Sequence, residues 1–196
     1  MISVNIELEE GIKSYDFPTS WEEVTVEQFV KLFADHTPTD NELMASVKVM
    51  SILSGIEEEI IMAMDVEDFK NLAVQLTFIS EEMPNEEVDY IEVEGEKYYL
   101  YKDFSKMTTG EIITIELLME KNEGNIYRVM PQLLCLFLRK KKEDGKFEKF
   151  NTDMMDRADK FKKVNISKIH QVFNFFLTGE TIFSPNIQDF IQNQDL

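Results

Sequence analysis

Catalysis needs nucleophiles, proton carriers or metal ligands gathered in a cleft, and these 196 residues offer few such groups. There are two histidines, His36 in ADHTPTD and His170 in SKIHQVF. His36 falls where a helix is expected to end, which suits capping or solvent better than proton transfer. His170 follows Ile169, a core-facing position, and reads as a partly exposed helix histidine. The one cysteine, Cys135 in PQLLCLFL, excludes an intramolecular disulfide framework and reads as a small buried hydrophobe. No Cys or His cluster has metal-ligand spacing. No glycine-rich loop precedes a Lys-Ser/Thr pair, and no serine lies in a nucleophile elbow. The acidic runs EEGIKSYDF and GIEEEI lack the ordered Asp spacing of a calcium loop. The expectation is a protein that is not an enzyme, with no catalytic, cofactor-binding or metal-binding residue.

What the residues do offer is recognition. The stretch RKKKEDGKFEKFN places Arg139, Lys140, Lys141 and Lys142 side by side, and VFNFFLTGETIF supplies Phe175 and Phe176 among four phenylalanines in eleven residues. These six residues are the candidate interface. A solvated helix face and a core stripe are the plainer readings of the two stretches.

The net charge of -18 is unevenly spread. Residues 1–120 carry 7 Lys and no Arg against 28 acids, whereas residues 121–170 carry 13 bases against 7 acids. An acidic surface this long repels phosphate, so no nucleic acid is expected as a partner. The basic block suits an acidic partner or the acidic region of another copy of this chain. MISVNIELEE lacks the basic start and apolar core of a signal peptide, and the longest apolar run, residues 133–138, is far short of the ~20 residues that span a bilayer. No membrane association is expected.

The elements that would carry these residues read as one unit used twice. At a shift of 83 positions Thr25 falls on Thr108 and Gln28 on Glu111. Each pair is a T-x-x-Q/E capping box, in which the Thr oxygen and the third helical side chain satisfy amides at a helix start. The apolar register holds at that shift: Phe29 and Val30 over Ile112 and Ile113, Val47 over Met130, Met50 over Leu133, Leu53 over Leu136. The shift then becomes 100, bringing Asp65 over Asn165 as N-caps. Seventeen extra residues in the second copy lie around the basic stretch. Ahead of each helical run the chain alternates with period two around a glycine, Val4-Ile6-Leu8 before Gly11 and Ile91-Val93 before Gly95, which predicts a β-hairpin.

The expected fold is mainly α, in the α+β class, as two tandem copies of a hairpin plus three to four helices. The first unit is residues 1–82. The second is residues 83–180, with an inserted basic loop at 139–151. Residues 181–196 form a tail with a short helix capped by Ser184. Helices are predicted at about 25–35, 40–54, 57–63 and 65–80, then 108–121, 124–140, 152–162 and 165–178.

The stretch FPTSWEEVTVEQFVKL, followed by SILSGI and DFKNLAVQLTFI, resembles phage proteins encoded among head and tail morphogenesis genes in phages of Bacteroidetes. FSKMTTGEIITIELL, NIYRVMPQLLCLFLRKK and VNISKIHQVFNFFLTGE carry the same resemblance through the second half. Proteins of that kind are often tail assembly chaperones: small, acidic, mostly helical cytoplasmic proteins that bind the tape-measure protein while the tail tube forms. The resemblance therefore implies a non-enzymatic assembly protein acting in the host cytoplasm, its partner a tape-measure or neck/tail protein or itself, with oligomers possible. Two alternatives stand beside it: a permanent virion component forming a ring or lattice, and an acidic DNA-mimic decoy.

Overall fold

A computed structural model describes residues 1–8, 11–34, 41–84, 88–101, 106–170 and 172. The chain starts with strands β1 (Ile2–Leu8) and β2 (Gly11–Phe17), paired antiparallel from Ile2↔Phe17 to Leu8↔Gly11. The period-two alternation turns Val4, Ile6, Leu8, Tyr15 and Phe17 to the side where Tyr15 and Phe17 become buried. In the second hairpin, β3 (Tyr90–Val93) and β4 (Glu96–Leu100) are joined by Glu94 and Gly95, with φ of 52° and 78°. Left-handed backbone at both central residues matches the right-handed twist of the flanking strands. Gly95 is in the turn, but Gly11 is one place beyond it and already paired with Leu8.

Helices α1 (Val26–Phe33), α2 (Glu42–Ser54), α3 (Glu58–Met62) and α4 (Val66–Gln75) follow the first hairpin. Helices α5 (Thr109–Lys121), α6 (Ile126–Phe137) and α7 (Ala158–Lys162) follow the second. Short 3-10 turns cover Trp21–Glu23, Leu76–Ser80, Thr152–Arg157 and Ile166–Lys168. Asn41 and Asn125 accept the first free amides of α2 and α6, and Gly55 ends α2 in a left-handed conformation at φ 72°. Asp65 and Asn165 stand at the expected N-cap positions, but neither side chain caps its helix. Asn165 donates instead to the Glu22 carbonyl.

One strand was not anticipated. Helix α6 stops at Phe137, short of the expected 140, because Leu138 and Arg139 extend as β5 along the edge of β4 (Tyr99↔Arg139, Leu100↔Leu138). Beyond it Lys141 bridges Phe147 around Gly145. The expected loop at 139–151 is thus a strand followed by a folded-back turn. The distal part of the predicted 165–178 helix, beyond Val172, and the 181–196 tail with its Ser184 helix lie outside the described residues.

Two apolar clusters hold these elements, and their division does not follow the expected boundary at 82/83. The smaller gathers Tyr15, Phe17, Met50, Ile56 and Ile61 under the first hairpin. The larger surrounds α6, whose residues 133–137 are all buried, and takes in Trp21, Val24, Val26, Phe29 and Leu32 from the first half. Trp21 stands edge-on to Phe78 at 5.4 Å and donates its Nε1–H to the Glu81 carbonyl. The halves are also joined through backbone: Thr25 bridges Asn165, Val26 N–H donates to the Val164 carbonyl at 2.9 Å, and Ile166 N–H donates to the Val24 carbonyl at 2.8 Å. The architecture is α+β and mainly helical, with a two-stranded and a three-stranded sheet. Among the described residues no helix is long and apolar enough to cross a membrane.

Candidate interaction surfaces

The four adjacent cations at 139–142 do not form one patch. Arg139 is 4% exposed: it pairs with buried Glu111, donates Nε–H to the Leu136 carbonyl at 2.8 Å, and lies over the Tyr101 ring at 3.9 Å. Its side chain is therefore held inside the fold, where β5 brings it to Glu111 and Tyr101. Its burial sets it apart from the three lysines that follow it in the expected interface. Lys140 pairs with Glu96, and Lys141 sits over the rings of Tyr99 and Phe147. Lys142 is exposed on the folded-back turn. Phe175 and Phe176 lie outside the described residues, as does His36.

Around Tyr98 the second half builds a connected acid–base network. Arg157 grips Glu148 with both guanidinium nitrogens, at 2.5 and 2.8 Å, and the Lys140 amide donates to the same carboxylate. Burial raises the Glu148 pKa, but the Arg157 fork and the Lys140 amide outweigh it and hold the carboxyl below its ordinary value. The Lys140 ammonium and the Tyr98 hydroxyl keep Glu96 at about 2. Burial, together with the bond to Glu96, drives the Tyr98 phenol well above its usual range. Burial also pushes the Cys135 thiol up to about 12, so it stays protonated, its Sγ–H directed at the Pro131 carbonyl. His170 is half-buried; desolvation lowers its pKa against the opposing bond to the Pro84 carbonyl. Glu96 with Lys140, and Glu148 with Arg157, are arranged to neutralise one another. Among the described residues no three His, Cys, Asp or Glu side chains are placed to hold a metal ion.

Both capping boxes form, and they differ at one atom. Gln28 accepts from the Thr25 amide at 2.8 Å through Oε1, and its Nε2 donates to the Leu53 carbonyl at 2.6 Å. Glu111 accepts from the Thr108 amide at 2.5 Å through Oε2, and its other oxygen meets Arg139, which reaches the Leu136 carbonyl. Leu53 and Leu136 are 83 positions apart. The amide suits a carbonyl at its far end and the acid suits a cation.

One concavity was not legible as a site in the sequence. It is an open groove of about 600 Å³ between β1 and helices α3 and α4. Successive residues Val4, Asn5, Ile6, Glu7 and Leu8 all line it, although their side chains alternate between faces, so the groove runs along the outer edge of β1. Opposed residues in an antiparallel pair alternate between bonded and non-bonded, which leaves every second residue of β1 with its N–H and C=O turned outward. Ile60, Ala63, Met64 and Leu72 form the far wall. Glu7, Glu59 and Asp68 supply its charge, with no Lys or Arg among the lining residues. The alternation in ISVNIEL was the available signal; the position of α3 and α4 opposite it was not.

No protein-family model, curated protein or solved structure matches this chain.

Proposed function

We infer that this is a non-enzymatic phage assembly protein of the tail assembly chaperone type, which binds a segment of a phage partner such as the tape-measure protein in the host cytoplasm. The observation that carries this reading is the groove: a strand edge that is unpaired among the described residues, opposite an apolar helical wall, with acids and no bases among its described lining residues. Such an edge takes an extended segment by strand addition, and its charge favours one that alternates apolar and basic residues. The same reading takes the chain as a duplicated unit. Support comes from the order of elements after each hairpin, from two capping boxes 83 positions apart, and from α3 and α7, which start and stop 100 positions apart.

Several large apolar residues are exposed, Ile112, Ile113 and Leu117 of α5 among them. This favours a second reading, a permanent virion component that covers such residues against neighbours. Mass spectrometry of purified particles, with affinity capture from infected cells, separates the two. The chaperone reading expects absence from particles and capture of the tape-measure protein, weakened by Ile60→Asp in the groove wall. Fixed stoichiometry in particles, or capture that ignores Ile60→Asp, overturns it.

A further inference from the structure

The internal junction between residues 24–26 and 164–166 has two counterparts that it does not use. Shifts of 83 and 100 positions carry those segments onto residues 107–109 and 64–66. Ile166 is 0% exposed whereas Val66 is 69% exposed, and Phe29 is 6% exposed whereas Ile112 is 41% exposed. The backbone follows the same division. The amides of Val26 and Ile166 are bonded across the bridge, while those of Thr109 and Val66, the first residues of α5 and α4, have no partner among the described residues. Exposed apolar side chains beside unbonded amides mark surfaces that gain from being covered.

Resting on the duplicated-unit reading, we propose that residues 107–112 of one copy dock on residues 64–66 of a second copy, repeating between chains the junction made within one. Thr109 N–H then donates to the Met64 carbonyl and Val66 N–H to the Met107 carbonyl, as Val26 and Ile166 do internally. Ile112 closes over Val66. The two surfaces differ, so the contact is heterologous: each docked copy leaves one surface of each kind open, and the chain grows into a ring or a filament. One internal bond is not repeated. Asn165 donates its side-chain N–H to the Glu22 carbonyl, and the Asp65 side chain in its place has none to donate. The junction between chains is accordingly weaker than the internal one.

Sedimentation of the purified chain over a concentration series tests this, with Val66→Asp and Ile112→Asp as variants. Both side chains are exposed, so the fold is retained, as circular dichroism checks. The expected result is a mass that rises with concentration, with each substitution weakening association about tenfold or more. Asp65→Cys and Thr109→Cys chains are then mixed under oxidation; Cys135 is buried. Disulfide-linked pairs are expected from the mixture and not from either variant alone. A mass of one chain at every concentration overturns the proposal, as does association unchanged in both Asp variants. So do cross-links within a single variant, which indicate a symmetric contact. Client capture through the groove is read separately. A chain that remains monomeric yet captures the tape-measure protein loses the junction and keeps the chaperone reading.

Discussion

Gln28 and Glu111 hold the same place in two capping boxes, but the helices they start meet different surroundings. Helix α1 lies in the larger core, with Phe29 against Trp21 and Tyr127 and with Val26 bonded across to Val164. Helix α5 buries Glu111 and Ile115 and leaves Ile112, Ile113 and Leu117 in solvent. A capping box is a local device that needs only a Thr, three residues of helix and an acceptor. Whether the apolar stripe behind it is covered depends on what else the chain brings to that side. The second half supplies residues 164–166 to α1, and among the described residues no equivalent backbone bridge reaches α5 from the first half. One signal has produced a core helix and a half-open one.

Substitutions in the two boxes give the sharpest contrast. Replacing Glu111 by Ala leaves the Arg139 charge buried without its partner and should cost about 3–5 kcal/mol in urea unfolding. Replacing Gln28 by Ala removes a cap and a neutral bond to Leu53 and should cost about 1–2 kcal/mol. Equal losses would mean that the Arg139–Glu111 pair adds nothing to the second box.

The stripes behind the boxes separate next. Phe29→Ala should destabilise by about 3–5 kcal/mol, whereas Ile112→Ala, measured in dilute protein where copies do not meet, should stay within about 0.5 kcal/mol. A large loss at Ile112 would show α5 to be as covered as α1. The caps themselves should be closely matched: Thr25→Ala and Thr108→Ala each cost about 1 kcal/mol by the same denaturation.

Acid should distinguish the halves by the smallest margin. Glu96 and Glu148 have folded pKa values below the ordinary 4.5, so their contribution is complete above that value and is lost as pH falls through the folded values, about 2 for Glu96. Hydrogen exchange in falling pH should therefore loosen β4 and α7 before α2. Lys140→Met should reduce that difference. Loosening of α2 first would place the acid-sensitive contacts in the wrong half.

Much of the local structure was legible because it rests on short-range rules. Alternation in ISVNIEL and DYIEVEG marked the hairpins, Thr25 and Thr108 marked helix starts, and Gly55 marked a stop, each within a few residues of its cause. Arg139 shows where that reading ended. A cation in a run of four looks solvated, and its burial follows only once β5 pairs with β4 and brings it to Glu111, 28 positions earlier in the chain. The groove beside β1 was equally hidden, since neither the strand nor α3 and α4 is unusual alone.

By itself, then, the amino-acid sequence determined where the two hairpins and helices α1, α2, α5 and α6 begin, the asymmetry of charge, and the pairing of two similar starts. Those depend on contacts between near neighbours along the chain. Only the tertiary structure decided that the two halves share a core, that one basic residue is internal, and that one of two matched helices stays uncovered. Burial and pairing over long separations depend on which surfaces the whole chain can bring together, and local spacing carries no record of that.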